Sequence, residues 1–128
     1  MQNSRLKIIS GEYRSYEEFI EGYQLEAVDD FNYAYDVVDQ IAADTPDRVA
    51  LVWCNEEGES KTICFAELKE YSDRVAGFLQ AAGIKKGDRV MLVLKRRYEF
   101  WFALLGLHKL GAIAIPATHL LTTSDLVY

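Results

Sequence analysis

Three cations, Lys95, Arg96 and Arg97, follow directly after the apolar run at residues 90–94. Clustered positive charge of this kind can bind an anion such as a phosphate. Phosphate loops usually add glycines, because glycine lets backbone amides approach the oxygens at a helix N-terminus. Neither G-x-G-x-x-G nor G-x-x-x-x-G-K-[ST] occurs in the chain. Two interpretations therefore remain, an anion site and the more ordinary solvated loop whose side-chain stems cover a helix end.

The chain has two histidines, and their surroundings differ. His108 lies in an apolar stretch beside Leu107 and Leu110, where we expect a hydrogen-bonded packing side chain. His119 lies after a short apolar run, in a region where ligands could reach it. No neighbouring serine, cysteine or paired acid completes a nucleophile and base constellation around it. His119 is therefore a candidate for ligand contact, and we predict no catalytic residue.

The cysteines and the acidic pairs predict no metal site. Cys54 and Cys64 flank a turn and could face each other across a hairpin, but we expect them to be buried free thiols. Neither is accompanied by the second Cys or His pair that a zinc site requires. The pairs Asp29-Asp30 and Glu56-Glu57 fall in polar stretches, where solvation accounts for the charge.

Composition limits the classes of function. Half of the 128 residues are hydrophobic, which is ample for one packed domain. The net charge of −6 disfavours nucleic acid and anionic lipid as partners. No apolar run reaches the roughly 18 residues of a membrane helix, and residues 1–15 are polar where a secretory signal is apolar. We therefore expect a cytoplasmic protein without a membrane partner.

Apolar periodicity and turn residues predict the elements that position these side chains. The three-to-four-residue spacing of helices occurs at residues 16–28, 32–43, 66–82 and 98–110. Strand patterns occur at residues 49–54, 61–65, 90–94 and 112–115. The first two strands predict a β-hairpin, and the last two predict a parallel βαβ unit whose first strand is covered on both faces and central in its sheet. The predicted fold class is α/β.

Ligands of such open sheets collect beyond the carboxyl ends of the strands. The loops at residues 95–97 and 117–122 are therefore the places where we expect a site. Residues 123–125 have the hydroxyls and acid of a helix start, and the chain stops shortly after them at Tyr128. We expect an N-terminal extension with a helix at residues 1–30 and an incomplete α/β subdomain at residues 31–128.

Several segments resemble the N-terminal region of the adenylate-forming (AMP-binding) acyl-CoA synthetases. Those that carry the resemblance are residues 31–39 (FNYAYDVVD), 65–68 (FAEL), 83–90 (GIKKGDRV), 98–101 (YEFW), 108–112 (HKLGA), 115–118 (IPAT) and 123–128 (TSDLVY). The Gly-Asp-Arg-Val turn and its following strand are typical of the whole superfamily. The opening at Phe31 and the ending from Thr118 resemble the medium-chain branch.

The resemblance implies an enzyme that activates a carboxylic acid with Mg-ATP to an acyl-adenylate and then transfers the acyl group to CoA. ATP, Mg²⁺ and CoA would be the cofactors of the full-length protein. The family's phosphate loop, ribose-binding acid and catalytic lysine all lie beyond Tyr128. The resemblance places Ala117, Thr118 and His119 beside the nucleotide end of CoA, although Leu120 departs from the polar residue of the medium-chain branch.

We therefore expect this chain to be a structural fragment without activity or a tightly bound cofactor of its own. Such a fragment can self-associate through surface that other parts of the protein cover. One alternative is a stand-alone nucleotide- or CoA-binding module, because a fold does not fix a function. Another is an interaction domain that pairs through an exposed sheet edge.

Overall fold

A computed structural model describes residues 13–23 and 29–127. The chain divides into two units, with the division after Phe31. Among these residues, no helix is long and apolar enough to cross a bilayer. The predicted α/β class is confirmed.

The described part of the first unit contains helix α1 (Tyr16–Gly22). Ser15 caps it, since its hydroxyl accepts a hydrogen bond of 3.2 Å from the Glu18 N–H. The ring of Phe19 packs edge-on against Tyr13 and stacks on Tyr23, with centroids 5.3 and 4.9 Å apart. The helix predicted at residues 16–28 is confirmed over α1, and residues 24–28 lie outside the described part.

The second unit begins with a helical segment of two kinds. Residues Ala34–Asp39 form a π-helical turn, here called the π turn, and Gln40–Asp44 continue as helix α2. Asn32 fixes the start of the π turn, because its Oδ1 accepts the Ala34 N–H at 3.0 Å. The helix predicted at residues 32–43 is confirmed, but its π geometry was not foreseen, since apolar spacing over so short a segment does not separate the two helix types.

The predicted hairpin forms from strands β1 (Val49–Cys54) and β2 (Ser60–Cys64), which are antiparallel. Cys54 pairs with Ser60 and Cys64 with Val49, so the cysteines lie at opposite ends of the hairpin. Cys54 is exposed and Cys64 half-buried, and both are free. The expectation that they are buried is therefore wrong, and they do not face each other, because the register places them in the first and the last of the hairpin's five residue pairs.

Helix α3 (Phe65–Ala81) follows β2 directly. The carboxylate of Glu67 accepts the Cys64 N–H at 2.9 Å and closes a capping box. At the other end Gly83 has a φ of 95°, a left-handed conformation that glycine adopts readily and that ends the helix. Strand β3 (Arg89–Leu92) begins after a second turn.

Strand β3, helix α4 (Glu99–Leu110) and strand β4 (Ile113–Pro116) form the predicted βαβ unit. The two strands are parallel, with Arg89 opposite Ile113 and Leu92 opposite Pro116. Helix α5 (Thr123–Leu126) follows, capped by Thr122 and Asp125.

One face of the β3–β4 sheet is partly exposed. Met91 and Ile113 are each 47% exposed, and Ile115 is 37% exposed. Parallel sheets are normally covered on both faces. The expectation of a fully covered central strand is therefore wrong for this chain, where β3 pairs with β4 as its one partner among the described strands.

The core of the second unit lies where the hairpin, the π turn, α3 and α4 meet. Its buried members are Ala34, Val38, Ile63, Leu68, Phe102 and Leu105. The two long helices approach closely at Gly106, where an added Cβ would lie 2.9 Å from Val75 Cγ1. This contact holds α4, and with it the loop before α4, against the rest of the unit.

Candidate functional site

The three-cation loop at residues 95–97 connects the end of β3 with the start of α4, as predicted. Arg97 is held by Glu99 in two hydrogen bonds, Nη2 to Oε1 at 2.8 Å and Nε to Oε2 at 3.2 Å. These bonds raise the pKa of Arg97 and lower that of Glu99. The Arg97 N–H also donates to the Lys95 carbonyl, which tightens the loop.

Trp53 attaches the hairpin to this loop. Its indole Nε1 donates a hydrogen bond of 2.6 Å to the carbonyl of Arg96. Its ring meets Tyr98 edge-on, with centroids 5.3 Å apart. Lys61 of β2 lies over the ring of Tyr98, with its Nζ 4.6 Å from the ring centroid. Two segments far apart in sequence are thus fixed to each other by polar and aromatic contacts.

A cleft of about 750 Å³ opens beside Trp53. This volume is within the range of ligand pockets for small molecules and cofactors. The cleft lining comes from the hairpin end, the three-cation loop and the loop after β4: Trp53, Cys54, Asn55, Glu56, Glu57, Lys95, Arg96, Arg97 and His119. The two loops predicted to flank a site therefore do share one cleft.

Of the three candidate CoA contacts, only His119 is among the residues that line this cleft. Ala117 is half-buried and continues the sheet, since its N–H donates to the Leu92 carbonyl at 3.0 Å. Thr118 is exposed and turns the chain, because its Oγ1 accepts the Leu120 N–H at 3.2 Å. Their assignment to CoA stays a prediction.

Sequence reasoning missed the contribution of the hairpin to this cleft. The sequence pattern places Trp53 in a strand and Glu56 and Glu57 in a solvated turn, and it predicts no ligand contact for any of them. The signal that pointed to them was the position of Trp53 next to the hairpin turn. That signal could be used only once the packing of the hairpin against the loop before α4 was known.

His108 differs from its expected role in one respect. The side chain is half-buried on α4, but its Nδ1 is buried without a hydrogen-bond partner among the described residues. Its backbone carbonyl accepts a hydrogen bond of 2.7 Å from Asn32 Nδ2. His108 therefore packs as predicted, while the hydrogen bond expected for its ring is not found at Nδ1.

A second polar cluster lies between the helices. Lys109 Nζ donates to Asp39 Oδ1 at 2.8 Å and to Asp73 Oδ1 at 2.5 Å, and only 1% of its side chain is exposed. Lys69 reaches the same two acids. Burial raises the pKa of Asp73, but the hydrogen bonds from Lys109 and Lys69 outweigh it and hold the pKa below its usual value. The charges neutralise one another, so this is a structural cluster.

No group of three or more metal-binding side chains occurs in residues 13–23 and 29–127. These described residues therefore do not fit a Mg²⁺ site of their own, since Mg²⁺ prefers several oxygen ligands in octahedral geometry.

Residues 38–128 match the family model of the AMP-binding enzymes. The chain belongs to the AMP-binding enzyme family. The predicted resemblance to this family is thereby confirmed.

Two curated relatives extend this finding. The chain is 34% identical over 122 residues to acyl-coenzyme A synthetase ACSM3, mitochondrial, of Homo sapiens, a match that covers 91% of this chain and 21% of the relative. It is 42% identical over 85 residues to acetyl-coenzyme A synthetase 2 of Zygosaccharomyces bailii, covering 66% of this chain and 13% of the relative. The chain thus spans about a fifth or less of the length of these relatives.

Among solved structures, the chain resembles the NpsA N-terminal subdomain of Klebsiella oxytoca. The TM-score is 0.66 at 29% identity, and the match covers 76% of this chain and 24% of the other. The fold is therefore that of an N-terminal portion of an adenylate-forming enzyme, as predicted.

Proposed function

We propose that this chain is the N-terminal part of an AMP-dependent acyl-CoA synthetase. A carboxylate oxygen of the substrate acid attacks the α-phosphorus of ATP, and pyrophosphate leaves. The CoA thiolate then attacks the acyl carbon, and AMP leaves with the electrons of the broken C–O bond. The observation that carries this proposal is the family match over residues 38–128, supported by relatives that are themselves named synthetases.

The role of this chain within such an enzyme is scaffolding. Its α3–α4 pair and β3–β4 sheet form a supporting layer, and it has no glycine-rich phosphate loop. The partly exposed apolar residues Met91, Ile113 and Ile115 support this role, because an apolar sheet face normally packs against another layer. We expect no ligase activity from the chain alone.

Ala117, Thr118 and His119 would lie beside the nucleotide end of CoA. The position of this loop after β4 supports the proposal, since ligands of parallel sheets bind at the carboxyl ends of strands. Leu120, which is 74% exposed, offers no polar group there. Mg²⁺ would enter with ATP as its counter-ion, and its ligands would come from other parts of the enzyme.

The substrate acid would be of medium or short chain, and the compartment would be the cytoplasm. The proposed compartment differs from that of ACSM3, whose name places that relative in the mitochondrion. Fluorescence imaging of a tagged full-length protein beside a mitochondrial marker tests it. A mitochondrial pattern would refute the cytoplasmic assignment and leave the proposed reaction untouched.

The reaction is tested on a longer protein that contains this chain. With ATP and hydroxylamine it should form an acyl-hydroxamate from a medium or short acid, and no product across a broad panel of acids would refute the synthetase. Calorimetric titration of the chain itself with ATP, AMP or CoA should give very weak heats. Micromolar binding would instead favour a stand-alone nucleotide module.

A further inference from the structure

We propose that the cleft beside Trp53 binds a phosphate group of an adenine nucleotide through Lys95 and Arg96. This inference rests on the proposed function, because only an enzyme that handles ATP and CoA supplies such a ligand. It goes further in naming side chains of this chain, outside the loop at residues 117–119, as the phosphate contacts.

The first argument is charge. Glu99 occupies the guanidinium of Arg97 in two hydrogen bonds, so Arg97 is already neutralised. Lys95 and Arg96 are both exposed, and no carboxylate in the described part of the chain forms an ion pair with either. Two cations that line a cleft without such a partner can form charge-assisted hydrogen bonds to phosphate oxygens.

The second argument is the rigidity of the loop. The indole of Trp53 holds the Arg96 carbonyl at 2.6 Å, and Tyr98 packs against the same indole. A solvated loop needs no such attachment. Because the backbone is already fixed on both sides of Arg96, less conformational entropy is lost when its side chain binds an anion.

The third argument concerns the acidic and aromatic residues of the cleft, which favour a nucleotide over inorganic phosphate as the ligand. Glu56 and Glu57 line the same cleft and would repel an isolated phosphate. A ligand that also bears N–H donors, such as the adenine amino group, can meet these carboxylates while its phosphate meets the cations. Trp53 adds an aromatic surface against which a base can pack.

The experiment is two-dimensional amide NMR on the 128-residue chain, titrated separately with adenosine 5′-diphosphate, adenosine 3′,5′-bisphosphate, adenosine and pyrophosphate. We expect the two nucleotides to shift the amides of residues 95–97 and 119 and the Trp53 indole N–H. The nucleotide that binds more tightly identifies the source of the phosphate. Adenosine 5′-diphosphate represents ATP, and adenosine 3′,5′-bisphosphate represents CoA. Adenosine and pyrophosphate should bind at least about tenfold more weakly, since each lacks one half of the contacts.

The variant Lys95→Ala/Arg96→Ala should weaken nucleotide binding by about tenfold or more. Its matched control is Lys85→Ala/Lys86→Ala, which removes the same charge from exposed residues before β3, at the other end of that strand. Added salt should weaken binding to the unmodified chain, because screening acts on charge pairs in water.

Three results would overturn the proposal: no shifts with either nucleotide, equal loss in both double variants, or equal binding of adenosine and the nucleotides. The reaction of the longer protein is measured separately by hydroxamate formation. An active enzyme whose cleft fails these tests would refute this inference alone, whereas an inactive enzyme would refute the proposed function.

Discussion

The ammonium group of Lys109 lies 2.8 Å from Asp39 Oδ1 and joins α4 to the π turn across 70 residues of chain. Asp73 of α3 accepts a second hydrogen bond from the same Nζ. A buried charge of this kind costs several kcal/mol unless it is paired. Three helical segments are therefore held in one relative position by a single side chain.

Replacing Lys109 with methionine should lower the free energy of unfolding by about 3 kcal/mol, because it removes the ammonium group that pairs with Asp39, whose side chain is only 13% exposed. Urea denaturation followed by circular dichroism measures the change. The control is Arg74→Ala, which breaks an ion pair to Glu70 on the surface and should cost less than about 1 kcal/mol. Equal losses in the two variants would contradict the structural importance of the buried pair.

Two glycines in the α3–α4 pair should respond in opposite directions to alanine. Gly106→Ala should destabilise by about 2 kcal/mol, because its Cβ would lie 3.1 Å from the backbone nitrogen of Ala76. Gly77→Ala should stabilise by up to about 1 kcal/mol, since no atom lies within 4 Å of that Cβ and alanine favours a helix. The same denaturation assay compares them, and a stabilising Gly106→Ala would refute the close approach of the helices.

Acid should destabilise the protein through carboxylates whose pKa is lowered in the folded state. The hydrogen bond from the Cys64 N–H lowers the pKa of Glu67, and that of Asp73 is lowered as well. The folded state then binds fewer protons than the unfolded state, so this stability is present above the ordinary pKa and is lost as the pH falls through the lowered one. The decline should begin below about pH 5.

Glu67→Gln tests one of these groups. Glutamine retains an acceptor for the Cys64 N–H but does not titrate, so the loss of stability between neutral pH and pH 3 should be smaller than in the unmodified protein. Urea midpoints measured across this range give the comparison. If both proteins lose the same stability between neutral pH and pH 3, the titration of Glu67 does not contribute to the pH dependence of folding.

The two tryptophans provide a matched pair for the attachment of the hairpin. Trp53→Phe retains an aromatic ring near Tyr98 but loses the donor to the Arg96 carbonyl, so it should destabilise by about 1 kcal/mol. Trp101 is 46% exposed on α4, and Trp101→Phe should change stability by less than about 0.5 kcal/mol. Thermal denaturation of both variants measures this, and a larger loss from Trp101→Phe would contradict the assignment.

Most elements of the fold could be predicted because their signals are local. The apolar spacing at residues 66–82 and 98–110, which agrees closely with helices α3 and α4, is an example. The partly exposed face of β3 could not be predicted, because an apolar run indicates burial without specifying which layer provides it. The register that separates Cys54 from Cys64 depends on turn length and packing, which the pattern did not fix.

The candidate site could be predicted only in its loops. The rule that ligands gather at the carboxyl ends of parallel strands pointed to residues 95–97 and to His119. Trp53 lies 43 residues from Arg96 in sequence, and its hydrogen bond to that residue depends on tertiary packing. The pairing of Lys109 with Asp39 and Asp73 could not be predicted either, because it also depends on tertiary packing.

The parallel pairing of β3 with β4 also affects the order of events during folding. The hairpin joins neighbours in sequence and can close early, whereas β3 can pair with β4, its partner among the described strands, only after α4 and β4 have been synthesised and have folded back. Until then its apolar residues are available to pair with other nascent chains. Residues 89–94 are therefore a segment on which chaperones that hold extended apolar segments would act.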